Sequence, residues 1–300
     1  MNEQAPATPR STAAADMRLV WLALAVFAAA KLAFALFAGP LPDEAYYWLW
    51  GQHTDWSYFD HPPLQAWMQA VASTLLGHST FALRAPALLT TALTLCLLAW
   101  WTRRAVRAGA EARLPVVAAV WFASPVMFVY STLVFNDHLM IALLGLAAAA
   151  FTVAFERMVR DGRAHAAALW LAGLALGLAT LAKYNAALFG IAAGLAIVLV
   201  PRLRPLLRSP HLYGAAILSA ACLLPVLLWN MEHANESFRY NLVDRLSAGW
   251  SPAQTAQHVV IFAVLAPLTF SAFLIPAVVG LARGRAPAFM KQGWRALALS

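Results

Sequence analysis

Charge is scarce in this chain. Asp, Glu, Lys and Arg make up 11% of its 300 residues, against about a quarter in an ordinary soluble domain. That leaves too little polar surface to wrap a soluble core. Cysteine is scarcer still. The two present, Cys96 and Cys222, both fall inside apolar runs. They read as small buried hydrophobes and imply no disulfide framework or metal cluster. Internal repeats are also missing, which removes one signature of repeat-built transporters. The net charge of +8 is dispersed between apolar runs rather than gathered on one domain. Nucleic acid is therefore not an expected partner.

Apolar length is what the chain has in quantity. It is 62% hydrophobic and holds 12 Trp. Its apolar runs of roughly 17–25 residues are continuous rather than alternating, which predicts bilayer-spanning helices. The expected fold class is an all-α polytopic membrane protein of about eight spans. They are placed near 19–39, 80–101, 114–133, 138–155, 167–182, 186–200, 212–229 and 257–282. Residues 1–18 read as a disordered cytoplasmic N-terminus. The run Leu19–Ala38 is too long for a cleaved signal core and reads as a retained anchor. Residues 283–300 read as a cytoplasmic basic segment. The closing RALALS looks like the start of another apolar stretch, so the chain is expected to be part of something longer.

Two kinds of loop alternate between these runs. One is basic: 103–113, 156–165, 201–211 and 283–295. The other is acidic, aromatic and His-bearing: 40–79, 135–137 and 230–256. With the N-terminus inside, 16 of the 21 Lys and Arg fall on the cytoplasmic side, as the positive-inside rule requires. Eight of 13 acidic residues and six of eight His fall on the other side. Any chemistry is expected there.

The segment 40–79 concentrates it. PDEAYYWLWG reads as a short helix with Asp43 as N-cap and Gly51 as its end. Asp43 is either that cap or a general base at the membrane surface. Adjacent residues do not share a helix face, so only one of Asp43 and Glu44 is expected to enter a site. The following HPPLQAWMQAVASTLLG places Leu64, Trp67, Met68, Val71 and Leu75 on one stripe, with Gln65, Gln69 and Ser73 elsewhere. That is an amphipathic helix suited to lying in the interface. Tyr46, Tyr47, Trp48, Trp50, Trp56, Tyr58 and Phe59 form an expected aromatic belt, of which one or two rings could stack on a sugar. Asp137, followed by His138, either caps the fourth span or serves a site. Lys183 and Arg84 are snorkelling anchors or cations for a lipid phosphate. No spacing among His53, Asp55, Asp60, His61 and His138 makes a tight metal motif. No metal ligand is assigned, although a divalent cation is compatible with the carboxylates.

Two functions remain open on these residues. An enzyme could take a phosphate-linked donor from the bilayer, using a carboxylate base and rim cations. A transporter or lipid flippase could use Lys31, Asp137 and kinks at Pro125, Pro225, Pro267 and Pro276. Gathering of Asp43, Asp137 and Lys183 would favour the first. A polar path past Lys31 would favour the second.

The block PDEAYYW…WSYFDHPPL resembles the first external loop of bacterial glycosyltransferase family 39, the protein O-mannosyltransferase and lipid A aminoarabinose transferase group. LRAPALL, NDHLMIALL, GLALGLATLAKYNAAL and LLPVLLWNMEHANESFRYNLVDR follow in the same order. The resemblance implies a GT-C-type bundle, a polyprenyl-phosphate sugar donor, and transfer outside the cytoplasm at the bacterial inner membrane. The acceptor would be lipid A, another envelope glycan or protein. It implies Asp43 as base with Glu44 as partner, Asp137 as a second acidic residue, and Lys183 near the donor phosphate. Arg84, Tyr46, Tyr47, Asp60, His61, Tyr184 and Arg245 complete the expected substrate site. Residues 230–256 are a candidate lid.

Overall fold

The computed structural model describes residues 10–105, 109–244, 247 and 251–269. All regular structure among them is helical. In chain order it runs α1 (Arg10–Phe37), α2 (Pro42–Gln52), α3 (Leu64–Leu76), α4 (Thr80–Ala105), α5 (Ala110–Phe122), α6 (Pro125–Tyr130) and α7 (Asn136–Asp161). It continues through α8 (Ala166–Ala182), α9 (Ala187–Leu199), α10 (Pro210–Ala221), α11 (Leu224–Glu232), α12 (Glu236–Arg239) and α13 (Pro252–Thr269). Helix α1 starts inside the segment expected to be disordered.

The all-α architecture matches expectation, but the count of eight spans is not reached by length and composition. Four helices among the described residues are long and apolar enough: Met17–Phe37, Thr80–Ala105, Asn136–Asp161 and Pro210–Glu232. A fifth results if Tyr184–Leu199 and Pro201–Arg208, bent by 107°, count as one span. Proline explains two of the differences. Pro125 begins α6 after a break at Ala123–Ser124, so the expected third span is two pieces. Pro201 follows α9 and turns the chain away from the sixth. Helix α8 is 17 residues, about 25 Å at 1.5 Å per residue. The last expected span extends beyond the described residues.

Small residues let the bundle close. Helix α8 packs on both α7 and α10. A Cβ on Gly173 would meet Ala215 O at 2.3 Å, and one on Gly177 would meet Cys222 Sγ at 2.7 Å. Glycine there permits the backbone approach that substitutes for hydrophobic drive in lipid. At one end of the bundle Met158, Leu169, Leu203, Leu206 and Ala215 form an apolar core, rimmed by the Arg104–Glu156 ion pair. At the other end α2 and α3 pack as a hairpin. They touch where a Cβ on Gly51 would lie 2.5 Å from Gln69 Cβ.

Helix α3 is inverted relative to a soluble amphipathic helix. Gln65 and Gln69 are fully buried against the protein, while Val71 and Leu75 are 54% and 75% exposed. An apolar stripe facing outward with a polar stripe facing the bundle is the arrangement expected of a helix at a lipid surface.

Candidate active site

Glu44 and Arg84 come together, but as scaffold. Both are completely buried. Arg84 donates through Nε to Glu44 Oε1 at 2.9 Å and through NH2 to Oε2 at 2.6 Å. Its remaining donors reach the carbonyls of Phe34, Ala38 and Gly39 at 2.7, 2.9 and 3.0 Å, and Phe34 covers the guanidinium at 4.4 Å. Glu44 also accepts from the backbone N–H of Leu41 at 3.1 Å and of Val134 at 3.2 Å. All five guanidinium donors are thus used. Arg84 has no N–H left for a phosphate, and Glu44 is closed to a substrate. Both leave the expected set of ligand-facing groups. Their work is to hold residues 38–44 against residues 131–135. Lys31 pins the second of these segments, donating to Ser131 O, Ser131 Oγ and Thr132 Oγ1 at 2.6, 2.9 and 2.6 Å.

Asp43 has the opposite fate. The N-cap of α2 is Leu41, with Pro42 opening the first turn, so Asp43 is not the cap. It is exposed, and no described residue donates a hydrogen bond to its carboxylate. Asp137 lies in the first turn of α7. Lys183 caps the C-terminus of α8 and donates to both Asp137 oxygens, at 2.7 and 2.9 Å. Each charge complements its own helix dipole. The pair is only partly covered, at 29% and 14% exposure for Lys183 and Asp137.

Tyr47 ties these groups into one place. It is 7% exposed, edge-on to His61 at 5.9 Å. Burial pushes its phenol pKa up, and the charges of Asp60, Asp43 and Asp137 add to the rise. Three carboxylates from 43, 60 and 137 therefore act on a single hydroxyl. Tyr46 is pushed up to about 12, by burial and then by Asp60, whose Oδ1 accepts its hydroxyl at 3.3 Å. Asp60 lies below the usual carboxylate range. Burial alone would raise it, but His61 Nδ1, 3.1 Å from Asp60 Oδ2, and the Tyr46 hydroxyl outweigh that.

A second layer comes from residues 229–241. Trp229 Nε1 donates to Asp55 Oδ2 at 2.9 Å, Asn241 Nδ2 to Asp60 O at 3.2 Å, and Phe59 meets Tyr240 at 4.5 Å between rings. Tyr184 and Ser237 hydroxyls lie 3.1 Å apart. The early part of the expected lid thus rests on the site; Arg245 lies outside the described residues. Among the described residues no three His, Cys, Asp or Glu gather as metal ligands.

The family described as dolichyl-phosphate-mannose-protein mannosyltransferase matches residues 60–229. The chain belongs to that family. The matched stretch holds Asp60, His61, Arg84, Asp137, Lys183 and Tyr184; Asp43 and Glu44 lie before it. Lipid A galacturonosyltransferase RgtD of Rhizobium johnstonii is 29% identical over 200 residues, covering 66% of this chain and 40% of RgtD. The crystal structure of apo ArnT from Cupriavidus metallidurans superposes with a TM-score of 0.56 at 20% identity, over 95% of this chain and 54% of ArnT. That likeness establishes the fold. The chain therefore spans about half the length of the relatives it matches.

Sequence reasoning missed the groups that join the two layers. Asn230 is fully buried and accepts from Phe238 N at 3.1 Å. Trp229 and Asn241 reach across to 55 and 60. A polar Asn ending the apolar run LLPVLLW was the available signal.

Proposed function

We propose that the protein is an integral membrane glycosyltransferase. It moves a sugar from a polyprenyl-phosphate donor to a hydroxyl of lipid A, another envelope glycan or protein. The aromatic end of the bundle, carrying 40–79, faces away from the cytoplasm of a bacterial inner membrane. The observation that carries this reading is the partly exposed Lys183–Asp137 ion pair, together with an exposed Asp43 carboxylate that accepts from no described residue. Asp43, an exposed carboxylate with no hydrogen-bond donor among the described residues, acts as general base. It takes the acceptor hydroxyl proton as the oxygen attacks the anomeric carbon. The bond from that carbon to the phosphate oxygen breaks, and Lys183 with His61 stabilises the departing phosphate. Tyr46 and Tyr47 stay protonated, and the Tyr46 hydroxyl holds the Asp60 carboxylate in place.

Family membership and the ArnT-like fold support the same reading. Transport is less favoured because Lys31 is fully engaged by Ser131 and Thr132 and covered by Phe122 and Phe128 at 5.4 and 5.0 Å. That is a closed clamp rather than a step on a polar path. The deciding experiment compares envelope glycolipids and glycoproteins by mass spectrometry in cells carrying the full-length wild type or Asp43→Asn. One sugar should be missing from one acceptor class in the variant. Identical profiles with intact membrane insertion would remove Asp43 as base.

A further inference from the structure

A second feature of the same loop is centred on Asp55. Thr54, Asp55, Trp56 and Trp67 frame a recess of about 230 Å³. That is below the roughly 300–1,000 Å³ of drug-sized pockets and suits one ring rather than an oligomer. Its floor is unusually fixed for a loop. Asp55 N–H donates to the Tyr58 hydroxyl at 3.0 Å, which donates in turn to His53 O at 2.9 Å or Trp50 O at 3.1 Å. Asp55 O accepts from Trp67 Nε1 at 2.9 Å. Asp55 Oδ1 accepts from Trp56 N at 2.6 Å, and Oδ2 from Trp229 Nε1 at 2.9 Å. Tyr58 itself is stacked on Trp50 at 4.2 Å.

On this fixed base stand groups with unused capacity. Trp56 is 57% exposed. Each Asp55 carboxylate oxygen accepts from one described residue, leaving further lone pairs free. The Thr54 hydroxyl is exposed and bonds to no described residue. Apolar ring faces beside a carboxylate and a hydroxyl match a sugar, whose C–H face is apolar and whose rim is hydroxyl. Trp67 also lies one turn before Val71, which is 54% exposed on the outward apolar stripe of α3. Mere interfacial anchoring by Trp56 would not require Asp55 to be held at N, O and both carboxylate oxygens. Preorganisation of a ring and its polar neighbours is what ligand binding rewards.

We propose that the Thr54–Asp55–Trp56–Trp67 recess binds the single sugar headgroup of a lipid in the adjacent leaflet. The proposal rests on the glycosyl-transfer reading and makes this recess part of acceptor recognition.

The test uses the full chain in phosphatidylcholine nanodiscs. The discs are doped with monohexosyl diacylglycerols bearing glucosyl, galactosyl or glucosaminyl heads, or with plain diacylglycerol. Retained lipid is measured by native mass spectrometry. Wild type should hold at least one hexosyl lipid in preference to plain diacylglycerol. Trp56→Ala should lower that retention about tenfold and Thr54→Val less; neither side chain makes a bond that holds the loop. Trp56→Phe should keep most of it. Equal retention of all lipids by wild type, or unchanged retention by Trp56→Ala, would overturn the subsite and leave Trp56 an interfacial anchor. Asp43→Asn should retain lipid as wild type does. Selective retention by wild type, with envelope glycolipids and glycoproteins identical in cells with and without the protein, would sink the catalytic reading while the subsite stood.

Discussion

Glu44 and Asp137 each face one cation, Arg84 and Lys183, yet the two pairs are built differently. Glu44 and Arg84 are both fully buried, and every guanidinium donor has a protein acceptor. Lys183 and Asp137 keep 29% and 14% of their side-chain surface exposed, and the lysine spends its charge on one carboxylate. Asp43 sits beside Glu44 in sequence and has no side-chain partner among the described residues. A closed ion pair has nothing left to offer a ligand and holds loops in place. A half-open pair can exchange its partner for a phosphate. The same chemical types thus divide into frame and site according to how many valences the fold has already filled.

The contrast can be broken from either side. Removing one member of the closed pair, as in Glu44→Ala, should cost about 3–5 kcal/mol by stranding a buried charge. Thermal unfolding of detergent-purified protein would show it, and Glu44→Leu with Arg84→Met should recover much of the loss. If Glu44→Ala melts like wild type, the frame assignment fails. Asp43→Asn should do the reverse. Transfer should fall by about 10²–10⁴ while stability stays within ~0.5 kcal/mol, as for an exposed residue without partners. Lys183→Ala comes next. It should reduce kcat/KM for the lipid-phosphate donor by about 10–100-fold, in line with one lost charged hydrogen bond. Stability should change by no more than ~1 kcal/mol. An unaltered donor KM and kcat would take Lys183 out of the phosphate site.

The smallest effect concerns pH. Asp60 is held below its ordinary range in the folded protein. A group so lowered adds stability above its unfolded pKa and loses that contribution as pH falls through its folded value. Wild type should therefore melt above Asp60→Asn near neutral pH, and the gap should shrink as pH drops below about 4. A gap that widens in acid would contradict the Asp60–His61 contact.

Local signals carried well from sequence to structure. Cap, proline and glycine chemistry placed α2 and α3 within a residue or two, because those signals act over a single turn. The N-cap shifted from Asp43 to Leu41 because Pro42 takes the first helical position. The apolar stripe of α3 was legible; which way it points was not, since that depends on whether lipid or protein core meets it. The Glu44–Arg84 and Asp137–Lys183 pairings join residues 40 and 46 positions apart, so they emerge only when four elements are assembled. The count of eight spans is not confirmed, because proline cuts apolar runs that hydropathy alone treats as continuous.

The outward apolar stripe of α3 makes this helix a float. Gly51 locks it against α2, and α2 carries Asp43, so the height of the site above the hydrocarbon is coupled to the position of the float. On the proposed role of Asp43 as base, bilayer thickness then becomes a control on the reaction. Lengthening the acyl chains at constant headgroup should change how far an acceptor must rise to meet Asp43.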